Sequence, residues 1–354
     1  MSGTSLDGID AVAVEASGEG FAYLGCASEP FDEVFRGELL SLCSPGSNEI
    51  ERMQDAANEL SRRYAHCVRT LLAELGIAAS EVRALGAHGQ TVRHRPEAGC
   101  TLQIINGALL AELTGIDTVT DFRSRDVAAG GEGAPLVPPF HARWFDEGKP
   151  FCVVNIGGMS NITAAGGSRS TFGFDCGPGN VLLDAWAGKH LGVPYDEDGR
   201  WAASGKTDEA LLERFLSEPF FAKAPPKSTG RELFSADWIA RHLSGGEKPE
   251  DVQATLLELT ARAVSQSVLA WAPQARSVYL CGGGVRNKAL FARIQALLPE
   301  CAVMSTAEKG LPPESVEGAA FAWLAWAFAE RVSANEPRVT GASGYRILGC
   351  LYPA

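Results

Sequence analysis

Two different spacings of apolar residues divide this chain into strands and helices. Asp10–Glu15 alternates apolar and polar positions as a half-buried strand does, and Phe21–Cys26 follows as its hairpin partner. The period then lengthens. Met53, Ala57, Leu60, Tyr64, Val68 and Leu71 recur at helical spacing within Glu49–Leu75, and Gly76 supplies a stop. Short strands are expected at Val82–Ala87, Thr101–Ile105 and Asp117–Thr120, with a helix at Ala108–Leu113 between the last two. A second cycle opens at Phe151 with a strand and a Gly-Gly turn, then strands at Asn161–Ala165 and Thr171–Phe174. Helices follow at Val181–Leu191, Asp208–Leu216, Ala236–Leu243 and Pro249–Trp271. A strand at Ser277–Cys281 leads to helices at Lys288–Leu298 and Ser315–Arg331.

Hairpins followed by helix-linked strands, met twice, predict two similar α/β lobes with a cleft between them. The similarity is architectural, with no repeat at the residue level. Val127–Pro139 is rich in Gly and Pro and marks the boundary, so the lobes are expected at 1–127 with 346–354, and at 128–345. Glycines near Val127–Pro135 and Gly341–Ile347 make those crossings the expected hinges.

Composition narrows the class. A chain of 354 residues with 45% hydrophobic and 21% charged residues is an ordinary soluble protein, long enough for two cores. A net charge of −12 offers no nucleic-acid surface, so an anionic substrate must meet locally placed Arg and Lys. The nine cysteines are scattered and lack any C-x-x-C pair, which points to reduced thiols in a cytoplasm and away from disulfides or zinc. No secretory pattern is visible, and the apolar run Ala319–Ala329 is too short to span a bilayer. The expected setting is cytoplasmic, without a membrane.

Three glycine-rich loops carry the candidate chemistry. They are Met1–Asp10, the turn at Gly157-Gly158, and Gly282-Gly283-Gly284 after an apolar strand. Glycine lets backbone N–H groups approach an anion, and a Ser or Thr hydroxyl adds a donor. A tight turn explains any one of them equally well. Three together suggest two lobes gripping one nucleotide. Asp175 follows an apolar strand and precedes Cys-Gly-Pro-Gly-Asn180, with a helix next that Asn180 is placed to cap. Its carboxylate suits a general base, and equally a turn residue satisfied by neighbouring amides. His88 and His94 have no third ligand at metal-binding spacing.

Longer motifs carry a resemblance. Met1-Ser-Gly-Thr-Ser-Leu-Asp-Gly-Ile-Asp10, His88-Gly-Gln-Thr91, Asp121-Phe-Arg-Ser-Arg-Asp126, Asn155-Ile-Gly-Gly-Met-Ser-Asn161, Gly173-Phe-Asp-Cys-Gly-Pro-Gly-Asn180, Lys227-Ser-Thr-Gly-Arg-Glu232 and Cys281-Gly-Gly-Gly-Val-Arg-Asn287 occur in order. In these the chain resembles the anhydro-N-acetylmuramic acid kinases, members of the actin, hexokinase and heat-shock chaperone ATPase superfamily. The resemblance implies two ribonuclease-H-like lobes with a nucleotide cleft, and ATP with Mg²⁺. It also implies a homodimer that acts on an amino sugar in peptidoglycan recycling. Two departures stand out: Gly107 replaces a usual Pro, and the sequence opens on the Met1 loop where the family carries a short apolar strand first. A lobe lacking that strand is expected to leave backbone groups unpaired on its neighbours.

Carried onto this sequence, the resemblance makes Asp175 the base that activates water against the anomeric carbon while O6 takes the phosphoryl group. Ser2, Gly3, Thr4, Ser5, Leu6, Asp7, Gly8 and Ile9 are expected under the phosphates, with Asp7 ordering Mg²⁺ through water or serving only the turn. Gly157 and Gly158 form the opposing phosphate hairpin. Gly282, Gly283 and Gly284 lie at the nucleoside end, where Asn287 either touches the nucleoside or caps the next helix. Gln90, Thr91, Arg123, Arg125 and Glu317 are the sugar-site candidates, with Lys227 and Arg231 as alternative carboxylate partners. A simpler sugar or carboxylate kinase of the same superfamily is the other enzyme reading.

Overall fold

In the computed structural model, which describes residues 1–3, 6–17, 20–167 and 170–354, the opening alternation forms an antiparallel hairpin. Its strands are β1 (Gly8–Ser17) and β2 (Gly20–Pro30), with a bulge at Ala13/Val14. Then come β3 (Leu85–Gly86), β4 (Gln90–Arg95), β5 (Cys100–Ile104) and β6 (Thr118–Thr120). The second half holds β7 (Phe151–Ile156), β8 (Met159–Ala165), β9 (Phe172–Pro178), β10 (Ser277–Cys281) and β11 (Ala302–Ser305), and β12 (Cys350–Tyr352) closes the order.

These elements form two units, Met1–Trp144 with Ser315–Ala354, and Phe145–Glu314. The segments 128–144 and 315–345, expected in the second lobe, lie in the first. The reason is packing. The helix Val316–Ala329 is buried almost all round and lies so close to β1 and β3 that a Cβ on Gly318 would strike Val12, and one on Gly86 would strike the Phe321 carbonyl. Rings complete the attachment: Phe140 sits 6.2 Å from Trp323, and Trp144 stacks 6.2 Å from Phe21.

The two expected hinges also lie inside this first unit, stitched to each other. Buried Asp126 accepts from Gly133 N (2.9 Å), Asn335 Nδ2 (2.7 Å) and Thr340 Oγ1 (2.8 Å). Glu132 N donates to Thr340 O (2.7 Å) and Ser343 N to Ala129 O (2.8 Å). A hinge needs backbone free to rotate, and this backbone is held from both sides.

In the first unit β1 pairs with β2, and β3 lies parallel to β6, which pairs antiparallel with β12. The β1–β2 hairpin and the β12-β6-β3 sheet are separate pieces. The helix Glu49–Leu75 runs as its periodicity predicts, burying Leu60, Tyr64, Val68 and Leu71 and ending at Gly76 in the left-handed conformation.

The second unit holds one sheet in the order β11-β10-β7-β8-β9. Strands β7, β8 and β9 form an antiparallel meander, while β10 is parallel to both β7 and β11. That is the ribonuclease-H-like order. The helix Pro249–Trp271 buries Leu256, Leu259, Val264 and Val268 in the same core as Val154 and Ile162. Several elements escaped the pattern, among them the helix Pro138–Trp144. Consecutive prolines read as a loop, yet proline is accepted in a first helical turn, where its missing N–H has no intrahelical partner.

Candidate active site

In the second unit, the Gly157-Gly158 turn joins β7 to β8 and leans on the start of the helix Val181–Leu191. Gly157 O accepts from Asn180 N (2.8 Å), and Gly158 O accepts from Gly179 N (2.8 Å) and Val181 N (3.1 Å). Asn180 occupies the N-cap position with helical backbone angles, but its side chain makes no cap bond; Nδ2 donates to Ile156 O at 3.3 Å. The expected cap is therefore a strap to β7. Beside it, Gly282 has φ +80°, and a Cβ there would strike Asn155 Oδ1, while one on Gly284 would strike Ile156. Gly283 faces open space, its Cβ direction 3.9 Å from Asn180 Nδ2. Asn287 accepts from Leu290 N at 3.0 Å, so of its two offered roles capping is the one observed.

Asp175 is not at a strand end. Strand β9 continues to Pro178, and a bulge at Ser160/Asn161 lets Cys176 drop out of register. The register then sets Asn155, Asn161 and Asp175 directly opposite one another on β7, β8 and β9, on one face of the sheet. Asp175 Oδ2 accepts from Ser228 Oγ and Thr229 N, each at 3.0 Å. Burial pushes its carboxyl above the usual range, with nearby Glu232 adding to the rise, and the two hydrogen bonds work against it. Asn155, Asn161, Ser228 and Thr229 were not singled out as site residues. The one signal was the Asn on either side of the Gly-Gly turn.

The two basic alternatives separate clearly. Lys227 Nζ donates to Phe220 O (3.3 Å) and Phe221 O (3.4 Å) and lies 4.6 Å from the Phe220 ring centroid, so local structure holds it. Arg231 is exposed, with Nη2 3.9 Å from the Cβ direction of Gly158. Its charge also acts on Asp184, which burial nevertheless pushes up to about 6.

Asp184 yields a stability prediction. Its native pKa of about 6 lies above the unfolded value near 4, so the native state loses stability as pH rises from about 4 through about 6. Asp184→Asn does not titrate, and is expected to be more stable than wild type by about 2 kcal/mol at pH 8. Urea unfolding at pH 8 and pH 4 should show this gap closing at the lower pH. An equal gap at both would assign the effect to something other than ionisation.

In the first unit, Ser2 is buried and its hydroxyl is already engaged: Oγ donates to Gly89 O (3.1 Å) and accepts from Tyr64 OH (3.0 Å). Leu6 adopts φ +56° and is buried, Ile9 is buried, and Gly8 packs against the Glu29 carbonyl. Asp7 is exposed, and its carbonyl accepts from Phe31 N at 3.0 Å. Thr4 and Ser5 lie outside the described residues. No group of three or more His, Cys, Asp or Glu among the described residues is placed to hold a metal. A lone exposed carboxylate suits a Mg²⁺ ion held mainly by phosphate and water.

Of the sugar-site candidates, Arg123 meets His88. Its Nδ1 donates to Ser2 O (3.2 Å), and Nε2 accepts from Arg123 Nε (3.2 Å) and Nη2 (2.9 Å). Burial, reinforced by Arg123, pulls the imidazole down to about 3, so it is neutral. Arg123 Nη1 donates to Gly133 O at 2.8 Å. Burial lowers the Arg123 pKa to about 10, which leaves it charged at neutral pH, and Glu317 supplies the counter-charge. Glu317 sits in a crowded recess that solvent still reaches, and the surrounding protein raises its pKa against the pull of Arg123. Gln90 is buried in β4 with Oε1 unpartnered among the described residues, and Thr91 follows it, half-buried. Arg125 is exposed on the short helix Ser124–Val127.

The full length, residues 1–354, matches the family model described as anhydro-N-acetylmuramic acid kinase. The chain belongs to the anhydro-N-acetylmuramic acid kinase family. It is 53% identical to the anhydro-N-acetylmuramic acid kinase of Cupriavidus pinatubonensis, over all of this chain and 97% of that one. With the enzyme of that name from Nitrosomonas europaea it shares 51%, over all of this chain and 98% of the other. Among solved structures, the activator of 2-hydroxyisocaproyl-CoA dehydratase from Clostridium difficile, with bound ADPNP, aligns over 91% of this chain and 96% of its own. That alignment has 12% identity and a TM-score of 0.44. The family assignment rests on the sequence relatives. Among the described residues of this family member, no helix is long and apolar enough to cross a membrane.

Proposed function

We propose that this kinase-family member opens 1,6-anhydro-N-acetylmuramic acid with water and phosphorylates its O6 from ATP, giving N-acetylmuramate 6-phosphate and ADP in cell-wall recycling. The observation that carries the mechanism is Asp175, held by Ser228 and Thr229 on a sheet face shared with two asparagines. Asp175 takes a proton from water as the water oxygen bonds to C1. The C1–O6 bond breaks, and O6, the leaving oxygen, accepts the γ-phosphoryl group. Asp7 would hold Mg²⁺ through water, and the ion would neutralise charge at the phosphates.

For the anionic sugar, Arg123 is the proposed partner of the lactyl carboxylate. Contacts to His88 and Gly133 fix its guanidinium in advance, and such pre-organisation lowers the cost of binding. Glu317 and Gln90 are proposed for sugar hydroxyl and amide groups, with Thr91 next to Gln90 and Arg125 two residues after Arg123 as further candidates. The backbone of the Ser2–Ile9 loop, Gly157-Gly158 and Gly282–Gly284 is proposed for the nucleotide. The same reading makes the enzyme a cytoplasmic homodimer.

Substrate choice tests the reading. With ATP and Mg²⁺, the protein is expected to phosphorylate the anhydro sugar and to leave open-ring N-acetylmuramate unchanged. Phosphorylation of the open-ring sugar at a comparable rate would replace this reading with that of a simple hydroxyl kinase.

A pH prediction follows from the base. Asp175 must be ionised to act, so the acid limb of kcat/KM should lie above the usual carboxylate range. Ser228→Ala removes a donor that favours the ionised form, and should move that limb to higher pH. An unmoved limb would mean that Ser228 does not act on the titrating group.

A further inference from the structure

A buried oxygen in the residue that holds Asp175 has no partner. Thr229 Oγ1 is closed off from solvent and makes no hydrogen bond to any described residue. A hydroxyl buried in that way costs stability, and such a group in a folded protein calls for a bound water or a role in chemistry. The side-chain oxygens of Gln253, Ser265 and Thr306 share the condition. Of these residues, Thr229 is the one whose backbone N–H holds the Asp175 carboxylate.

The segment that carries Thr229 is fixed from both ends. Lys227 O accepts from Asp175 N (3.1 Å), so the chain there runs along β9, the last strand of its sheet. Lys227 Nζ is tied in turn to the Phe220 and Phe221 carbonyls. On the other side, Gly230 O accepts from Leu233 N (3.2 Å) and Phe234 N (3.0 Å), and Phe234 is fully buried. Groups held between such anchors are positioned before any ligand arrives, which lowers the cost of ordering them during reaction.

The carboxylate of Asp175 is used unequally. Ser228 Oγ and Thr229 N both donate to Oδ2, each at 3.0 Å, and no described residue donates to Oδ1. Oδ2 therefore holds the side chain in place, and Oδ1 is open to accept a proton. A water that gives one proton to Oδ1 and a lone pair to carbon keeps a second O–H. That O–H needs an acceptor if the water is to hold one orientation, and a threonine hydroxyl has two acceptor lone pairs.

We propose that the Thr229 hydroxyl orients the attacking water, accepting a hydrogen bond from its second O–H while Asp175 Oδ1 takes the first proton. The inference rests on the hydrolytic reading above. The water oxygen bonds to C1, the C1–O6 bond breaks, O6 takes the γ-phosphoryl group, and the proton that water loses ends on Asp175. Thr229 keeps its own proton throughout.

Thr229→Val tests this, because it removes the hydroxyl and keeps both the branched shape and the backbone N–H that holds Asp175. With the anhydro sugar, ATP and Mg²⁺, kcat should fall about 10- to 100-fold while KM for the sugar is unchanged. The acid limb of the pH profile should stay at its wild-type position, since Thr229 N still donates. The variant should melt at or above the wild-type temperature, because a buried hydroxyl without a partner has been removed. Thr229→Ser, which restores the hydroxyl, should recover most of the lost turnover. A wild-type kcat in the valine variant overturns the proposal and passes the role to Asn161, opposite Asp175 on β8. So does a rise in KM alone, which would make the hydroxyl a sugar contact, or a joint fall in kcat and melting temperature, which would make it structural. If the valine variant does not fold, Thr229→Ala removes the same hydroxyl, and its kcat and KM decide in the same way. A wild-type protein inactive on the anhydro sugar overturns the hydrolytic reading and this inference together, whereas an active wild type with an equally active valine variant overturns this inference alone.

Discussion

Asp175→Asn should lower turnover by about two to four orders of magnitude, the usual worth of a positioned general base. The substitution keeps size and hydrogen-bonding capacity, so Ser228 and Thr229 retain an acceptor and the β9 bulge is undisturbed. What is lost is the proton acceptor. Nucleotide affinity should change little, because Gly157-Gly158 and Gly282–Gly284 are held by their own backbone contacts. In ¹⁸O-labelled water, the wild-type product should carry label at the C1 hydroxyl and none in its phosphate, since water attacks carbon and O6 comes from the sugar. Label in the phosphate would mean that water attacks phosphorus. A variant with near-normal turnover would remove Asp175 from the mechanism and leave Glu317 as the carboxylate to test.

Arg123→Met is expected to raise KM for the anhydro sugar about 10- to 100-fold, the value of one charge-assisted hydrogen bond to a carboxylate. Methionine keeps much of the volume in this half-buried position while removing the charge. A structural loss is separated from lost recognition by a sugar that lacks the lactyl group. Wild type should suffer with that analogue about as much as the variant suffers with the full substrate, and the variant should lose nothing further. Equal added losses in both proteins would mean that the lactyl carboxylate is held elsewhere. Arg125 and Arg231, both exposed, would be the next substitutions.

Legibility in the sequence follows the range of the interaction. The helices Glu49–Leu75, Val181–Leu191 and Pro249–Trp271 were readable to the residue, because apolar spacing and terminal signals such as Gly76, Gly192 and Pro249 act within a turn or two. The glycine turns were readable as well. The polar row Asn155–Asn161–Asp175 was not, since it exists only through the register of three strands and a bulge. Nor were the partners of Asp175, which come from 53 and 54 residues away. The unit boundary was misjudged for the same reason. Gly and Pro at 127–139 look like a linker locally, whereas the contacts of Asp126 assign them to the first unit. Ser2 shows the reverse: its residue type fits a phosphate loop, and burial commits its hydroxyl to Gly89 and Tyr64.

The Asp126 contacts also set an order of events during synthesis. They reach across 209 residues to Asn335 and 214 to Thr340, so the first unit cannot close until nearly the whole chain has been made. The second unit, continuous from Phe145 to Glu314, has all of its residues available earlier. At ribosomal rates of about 5–20 residues per second, the amino-terminal half waits roughly 10–40 s for its carboxy-terminal partners. The part of the chain made first is thus the last to finish folding, and meanwhile its apolar hairpin is exposed to chaperones and proteases.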